Sequence, residues 1–151
     1  MGRRKETKGG KMPAVVWIVG ALVILAIIAF PTWLLYTSTW LPRAKTREFL
    51  AVLETGDIGR VRERISPDTR GSSTDATVLT WIEAAKGHED VDWGSKSKMT
   101  STRGGRTLVS TQGYLRYPGT PKERWFNISL IEDEGQWYVA AFSVGALEQP
   151  R

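Results

Sequence analysis

The chain has no cysteine and a single histidine among 151 residues. Without cysteine there is no thiolate nucleophile, no cysteine-based metal site and no disulfide to staple a domain in an oxidising compartment. The lone histidine, His88, lies in Gly87-His88-Glu89-Asp90, just past an expected helix end, where it is placed to cap carbonyls or bind water. Glu89, Asp90 and Asp92 lie close by but have no recognised ligand spacing. No catalytic residue, metal site or cofactor is expected on these grounds.

Charge is missing from one stretch. From Pro13 to Trp40 the chain carries no ionised side chain. A bilayer core is roughly 30 Å thick and takes about 20 apolar residues of helix to cross. Ala14 to Phe30 nearly meets that need alone, and Trp33, Leu34, Leu35 and Tyr36 extend it. A cleaved signal peptide would have an apolar core of about 7–15 residues and a small-residue cleavage site. Here bulky groups, Phe30-Pro31-Thr32-Trp33, stand where small ones would be needed, so the reading is an uncleaved single-pass anchor. Pro31 removes a backbone donor in the outer half and is expected to kink the helix. Trp17 near one end, and Trp33, Tyr36 and Trp40 near the other, are the expected membrane-interface residues.

The flanks set the expected orientation. Arg3, Arg4, Lys5, Lys8 and Lys11, against Glu6, precede the span, and Arg43, Lys45 and Arg47 follow it. The denser basic group is retained on the cytoplasmic side, placing the N-terminus on the cytoplasmic side of the cell membrane and the C-terminal domain in the periplasm or extracellular space. The sequence pI near 9.7 is largely this topology signal. Of 21 basic and 16 acidic residues, 16 and 15 remain from Arg43 onward. That balance is no nucleic-acid footprint, so the expected partners are the lipid bilayer and a membrane protein, with a small molecule as a further candidate. The expected division is a basic cytoplasmic tail over 1–12, the span and its interface over 13–41, one domain over 42–148 and a short tail over 149–151.

Beyond the span the apolar spacing predicts helices first. Pro42 suits a first helical turn, and Phe49, Leu50 and Leu53 follow at helical spacing up to Thr55-Gly56. Asp57 reads as the N-cap of a second helix with Ile58, Val61 and Ile65 inward and Arg60, Arg62, Glu63 and Arg64 solvated. Ser66-Pro67 ends it, and Asp68 to Ser73 reads as a loop. Ser73 or Thr74 caps a third helix with an apolar stripe of Val78, Leu79, Ile82 and Ala85, stopped by Gly87. Trp81 is expected either against the first helix or at the rim.

Strands follow. Trp93 to Thr102 reads as an edge strand, then Thr107 to Tyr117, Arg124 to Ile131 and Gln136 to Val144, joined by turns at Arg103-Gly104-Gly105-Arg106, Pro118-Gly119-Thr120-Pro121 and Glu132-Asp133-Glu134-Gly135. In the third strand Phe126, Ile128 and Leu130 share one face, and Trp125, Asn127 and Ser129 the other. The fold class is α+β, helices packed on a four-stranded curved antiparallel sheet. Phe49, Leu53, Val61, Ile82, Ile128, Leu130 and Val139 are the expected core.

Two segments carry a family resemblance. Arg47-Glu48-Phe49-Leu50-Ala51-Val52-Leu53-Glu54-Thr55-Gly56-Asp57-Ile58, followed by Ser66-Pro67, resembles the opening of nuclear transport factor 2-like domains, which share the cystatin-like cone. Gly135-Gln136-Trp137-Tyr138-Val139-Ala140-Ala141-Phe142-Ser143-Val144 is similar to their final strand. The layout also resembles small bitopic membrane-anchored bacterial proteins that carry one such domain outside the cytoplasm. The resemblance implies a cone whose pocket would be lined by Trp81, Trp93, Tyr114, Trp125, Asn127 and Tyr138. It implies no activity, because this fold hosts unrelated functions. Enzymes of the superfamily set an Asp, His or Tyr in the cone, and no Asp or His falls within these strand cores.

Three local patterns have ordinary explanations. Glu132-Asp133-Glu134 is a solvated hairpin tip. Arg103-Gly104-Gly105-Arg106 is a turn before it is a phosphate cradle. Asn127-Ile128-Ser129 matches a glycosylation sequon but falls in a central strand. The expectation is a non-catalytic accessory or scaffold subunit of a membrane complex, with small-ligand binding in the cone as the alternative.

Overall fold

The computed structural model describes residues 14–94, 98–101 and 106–148, in two compact units that divide after Leu35. The basic tail over 1–12, the turn residues 103–105 and the end at 149–151 lie outside the described residues.

The first unit is helix α1, Ala14–Leu35, with Pro31 inside it. Its 22 residues span roughly 33 Å at 1.5 Å per residue, enough to cross a hydrocarbon core. None of its residues is buried, and it is the one described helix long and apolar enough to span a membrane. Trp17 and Trp33 are exposed on it, as are Tyr36 and Trp40 in the second unit.

The second unit begins with a π-helical turn, Tyr36–Trp40, and α2, Leu41–Glu54, with Pro42 in its first turn. Phe49, Leu50 and Leu53 turn inward. Helix α3, Ile58–Arg64, starts at Asp57, whose carboxylate accepts from the Arg60 amide at 3.2 Å. The segment expected to be a loop opens with a one-turn helix, α4 (Pro67–Arg70). Proline is pre-organised for a first helical position, so Ser66-Pro67 ends one helix and starts the next. Helix α5, Asp75–Ala85, is capped by Thr74, whose hydroxyl accepts from the Thr77 amide at 3.2 Å. Leu79, expected in its apolar stripe, is exposed; Trp81 and Ala84 are buried in its place.

The strands are β1 (Asp90–Trp93), β2 (Lys98–Ser101), β3 (Thr107–Arg116), β4 (Glu123–Asp133) and β5 (Gln136–Glu148), all paired antiparallel. The expected single edge strand is two segments. β4 pairs with β3 along the whole of Thr107–Arg116, so β1 and β2 share its other edge, opposite 113–116 and 107–110. The first segment starts earlier than expected because Val91 is drawn into the core. Five segments thus fill four sheet positions. Register shifts along β4–β5 at Arg124/Phe126 and Ser129/Leu130 mark bulges, which bend and twist strands. The last hairpin closes through Glu134 and Gly135, both at positive φ (49° and 79°), the geometry of a two-residue turn that glycine favours.

The architecture is the α+β class expected: helices on one face of a curved antiparallel sheet. Phe49, Leu53, Val61, Ile82, Ile128, Leu130 and Val139 are all buried in one cluster. Ser66 donates its amide to the Val139 carbonyl at 2.8 Å beside an Ile65–Val139 parallel bridge, tying the α3–α4 junction to β5.

Gly113 is the tightest point of the sheet. A Cβ there would meet the Asp92 carbonyl oxygen at 2.6 Å and the Phe126 ring at 2.9 Å. The Asp92 contact is backbone, so the strand itself would have to move. Gly113→Ala is expected to destabilise by about 1–3 kcal/mol, as overpacking does. Thermal denaturation of the full chain in detergent checks this, and an unchanged melting temperature would contradict the packing.

Candidate functional site

The space between helices and sheet is filled by rings. Phe49 stands edge-on to Trp81 and Phe142, at 6.5 and 5.5 Å between centroids, and Trp81 to Phe142 at 5.5 Å. Phe126 adds contacts to Phe142 at 6.2 Å and to Trp93 at 6.0 Å. Phe126 and Phe142 are tilted by 31°, and the other four pairs are edge-to-face, an arrangement favourable beyond its buried area.

The six residues expected to line a cone pocket therefore do not converge. Trp81 is a core residue. Trp93 packs against the core, with the guanidinium groups of Arg43 and Arg47 over its ring. Tyr114, Trp125 and Asn127 lie on the sheet face turned away from the helices, because side chains alternate along a strand and their neighbours Leu115, Phe126 and Ile128 point inward. Tyr138 lies at the far end of the sheet, its hydroxyl donating to Gln136 Oε1 at 2.8 Å.

That outer sheet face has its own character. Tyr114 and Trp125 are direct cross-strand partners, 39 % and 38 % exposed. The Trp125 side chain comes within reach of a Cβ built on Gly145 of β5, at 3.8 Å. Beside them Arg116 pairs with Asp92 at 2.5 Å and Glu123 at 2.8 Å. These carboxylates, Glu123 foremost, raise the Arg116 pKa above its ordinary value. Toward the middle, Ser110 and Ser129 hydroxyls meet at 2.8 Å. Asn127 is half-buried and its strand is paired on both sides, so the sequon lies within the sheet.

A cleft that sequence reasoning missed opens where the β4–β5 hairpin meets the helices. It is an open surface groove of about 700 Å³, lined by Leu41, Lys45, Glu63, Arg64, Arg70, Gly135, Gln136, Trp137 and Tyr138. Lys45 is held by Glu48 at 2.9 Å, and Arg70 donates to the Ile65 and Glu63 carbonyls at 3.2 and 3.4 Å. Arg64 is exposed, as the sequence suggests, and stands at the cleft. The only available signal was the basic run over 60–64. An adjoining recess beside Phe49 and Leu130 holds about 20 Å³, room for roughly one water.

His88 caps α5: its Nδ1 donates to the Ala85 carbonyl at 2.8 Å, with Glu54 3.1 Å away. The Tyr117 hydroxyl donates to the Ala84 carbonyl. Burial raises the Tyr117 pKa above its ordinary 10.0, partly countered by the Arg124 charge. An acid whose folded pKa is raised stabilises the fold below its unfolded pKa and loses that contribution as pH climbs through the folded value. We expect Tyr117 to ionise above its ordinary range in an ultraviolet titration, and Tyr117→Phe to abolish that late step. Persistence of the step in the variant would refute the assignment.

No family model and no curated protein matches the chain. Among solved structures it is similar to Rd1NTF2_05, an NTF2-like designed protein carrying five substitutions, at 14% identity and a TM-score of 0.48, over 70% of this chain and 96% of that one.

Proposed function

We propose that the protein is a non-catalytic, single-pass accessory or scaffold subunit of a membrane protein complex. Its N-terminus lies in the cytoplasm and its domain on the opposite side. The observation that carries this reading is the ring cluster of Phe49, Trp81, Phe126 and Phe142, which occupies the interior where a cone-type binding module would hold a ligand. A small-molecule pocket of ordinary size needs about 300 Å³ or more. The outer sheet face supports the same reading, because aromatic residues dominate the energetics of protein interfaces, and Tyr114 and Trp125 stand side by side there. In α1, Gly20, Ala21, Ala26 and Ala29 offer small residues for close helix approach.

Small-molecule binding is the second reading, and the open cleft around Arg64, Trp137 and Tyr138 favours it over the filled interior. The first reading predicts that Tyr114→Ala with Trp125→Ala lowers co-purification of the partner complex by about tenfold or more, the loss of roughly 1.4 kcal/mol or more at an interface. The protein's own melting temperature should change little, because both side chains are exposed. Undiminished co-purification would remove the sheet face from the account.

A further inference from the structure

The strand that borders the groove has a free backbone edge there. Pairing of β4 with β5 is unbroken from Asp133–Gln136 to Leu130–Val139. Glu134 and Gly135 make a two-residue turn, so Asp133 and Gln136 are its hydrogen-bonded closing pair. Bonded and non-bonded pairs alternate along antiparallel strands. Trp137 and Val139 therefore turn their amides and carbonyls away from β4, while Tyr138 turns its own toward it. Val139 uses that outward edge: its carbonyl accepts from the Ser66 amide at 2.8 Å. Trp137 meets no such strand, because the chain before the Ile65–Val139 bridge is helix α3, which cannot continue the ladder. The groove fills the gap between them, with Glu63 and Arg64 on one wall and Gln136 to Tyr138 on the other.

The same walls carry surplus positive charge. Lys45 is neutralised by Glu48 at 2.9 Å. Arg64 and Arg70 form no ion pair with any described residue. Arg70 is pinned by the Ile65 and Glu63 carbonyls, which are neutral acceptors, so its charge is fixed in place and uncompensated. Arg64 is exposed and makes no hydrogen bond among the described residues. Glu63 is the one acid among the residues that line the groove, and it pairs with neither arginine.

A free strand edge is completed by another extended chain, and two uncompensated arginines select carboxylates on that chain. A small anion would answer the charges and leave the edge unpaired. The groove is also open to solvent, whereas small-molecule sites bury most of their ligand. We propose that the groove takes an acidic peptide segment in extended form. Its backbone pairs with the amide and carbonyl of Trp137, and its carboxylates face Arg64 and Arg70. That the segment belongs to another subunit of the complex rests on the scaffold reading.

The test uses the full chain in detergent and a fluorescein-labelled peptide that alternates glutamate with valine, read by fluorescence anisotropy. Alternation sets the glutamates on one face of an extended peptide. Wild type should bind it about tenfold more tightly than a lysine–valine counterpart. R64E should lose about tenfold in affinity, the effect of at least one charge-assisted hydrogen bond. The variant should fold, because Arg64 is exposed and has no described partner to lose. The same glutamate–valine peptide methylated on its backbone nitrogens should bind wild type about tenfold more weakly, since the pairing needs its amides. That comparison requires no variant at all. Free glutamate at equal carboxylate concentration should displace little of the peptide; full displacement would give the groove to a small anion and overturn the proposal. Absence of binding, equal binding of the lysine peptide, or no loss with either R64E or backbone methylation would overturn it too. The assay contains no partner complex, so its failure is separate from failure of the scaffold reading, which co-purification tests.

Discussion

Phe126→Ala is expected to lower the stability of the domain by about 3–5 kcal/mol, the range for a buried Phe cut to Ala. Phe126 is 0% exposed and touches the rings of both Trp93 and Phe142. Removing it deletes two aromatic contacts and leaves a void that the close neighbour Gly113 cannot fill. Domains of this size hold roughly 5–15 kcal/mol in all, so the variant should sit near the edge of folding. Denaturation of the full chain in detergent measures this. A loss below about 1 kcal/mol would mean that the interior is looser than the ring cluster implies.

The second large effect concerns α1. Leu22→Lys with Leu25→Lys places two charges near the middle of α1. Each costs about 2.5–3.5 kcal/mol at a helix centre by insertion measurements, so the pair should abolish stable insertion. Wild type and a Leu22→Ala, Leu25→Ala control should stay in the carbonate-resistant membrane fraction, and the lysine variant should leave it. Retention of the lysine variant would show that α1 is not the anchor.

The elements were legible where local chemistry decides them. The uncharged run from Pro13, the Asp57 and Thr74 caps and the alternation Phe126-Ile128-Leu130 each carry their own signal, and the helices, central strands and core follow from them. The site was less legible. The family resemblance groups Tyr114, Trp125 and Asn127 with Trp81 as pocket residues, whereas the period-two pattern sets Trp125 and Asn127 opposite Phe126. The cleft has no local signature, because its lining joins Leu41 and Lys45, Glu63 to Arg70, and Gly135 to Tyr138, segments far apart in sequence. The Arg43–Arg47–Trp93 cluster is hidden for the same reason: only the fold brings β1 beneath α2.

The central claim is that the protein works by being placed beside a partner. Its most direct test is the mass of the particle extracted from native membranes in mild detergent, by size exclusion with light scattering and identification of the co-eluting proteins. The account predicts an assembly well above the 16.9 kDa chain that contains at least one other membrane protein. A strictly monomeric particle carrying a tightly bound small molecule would contradict it.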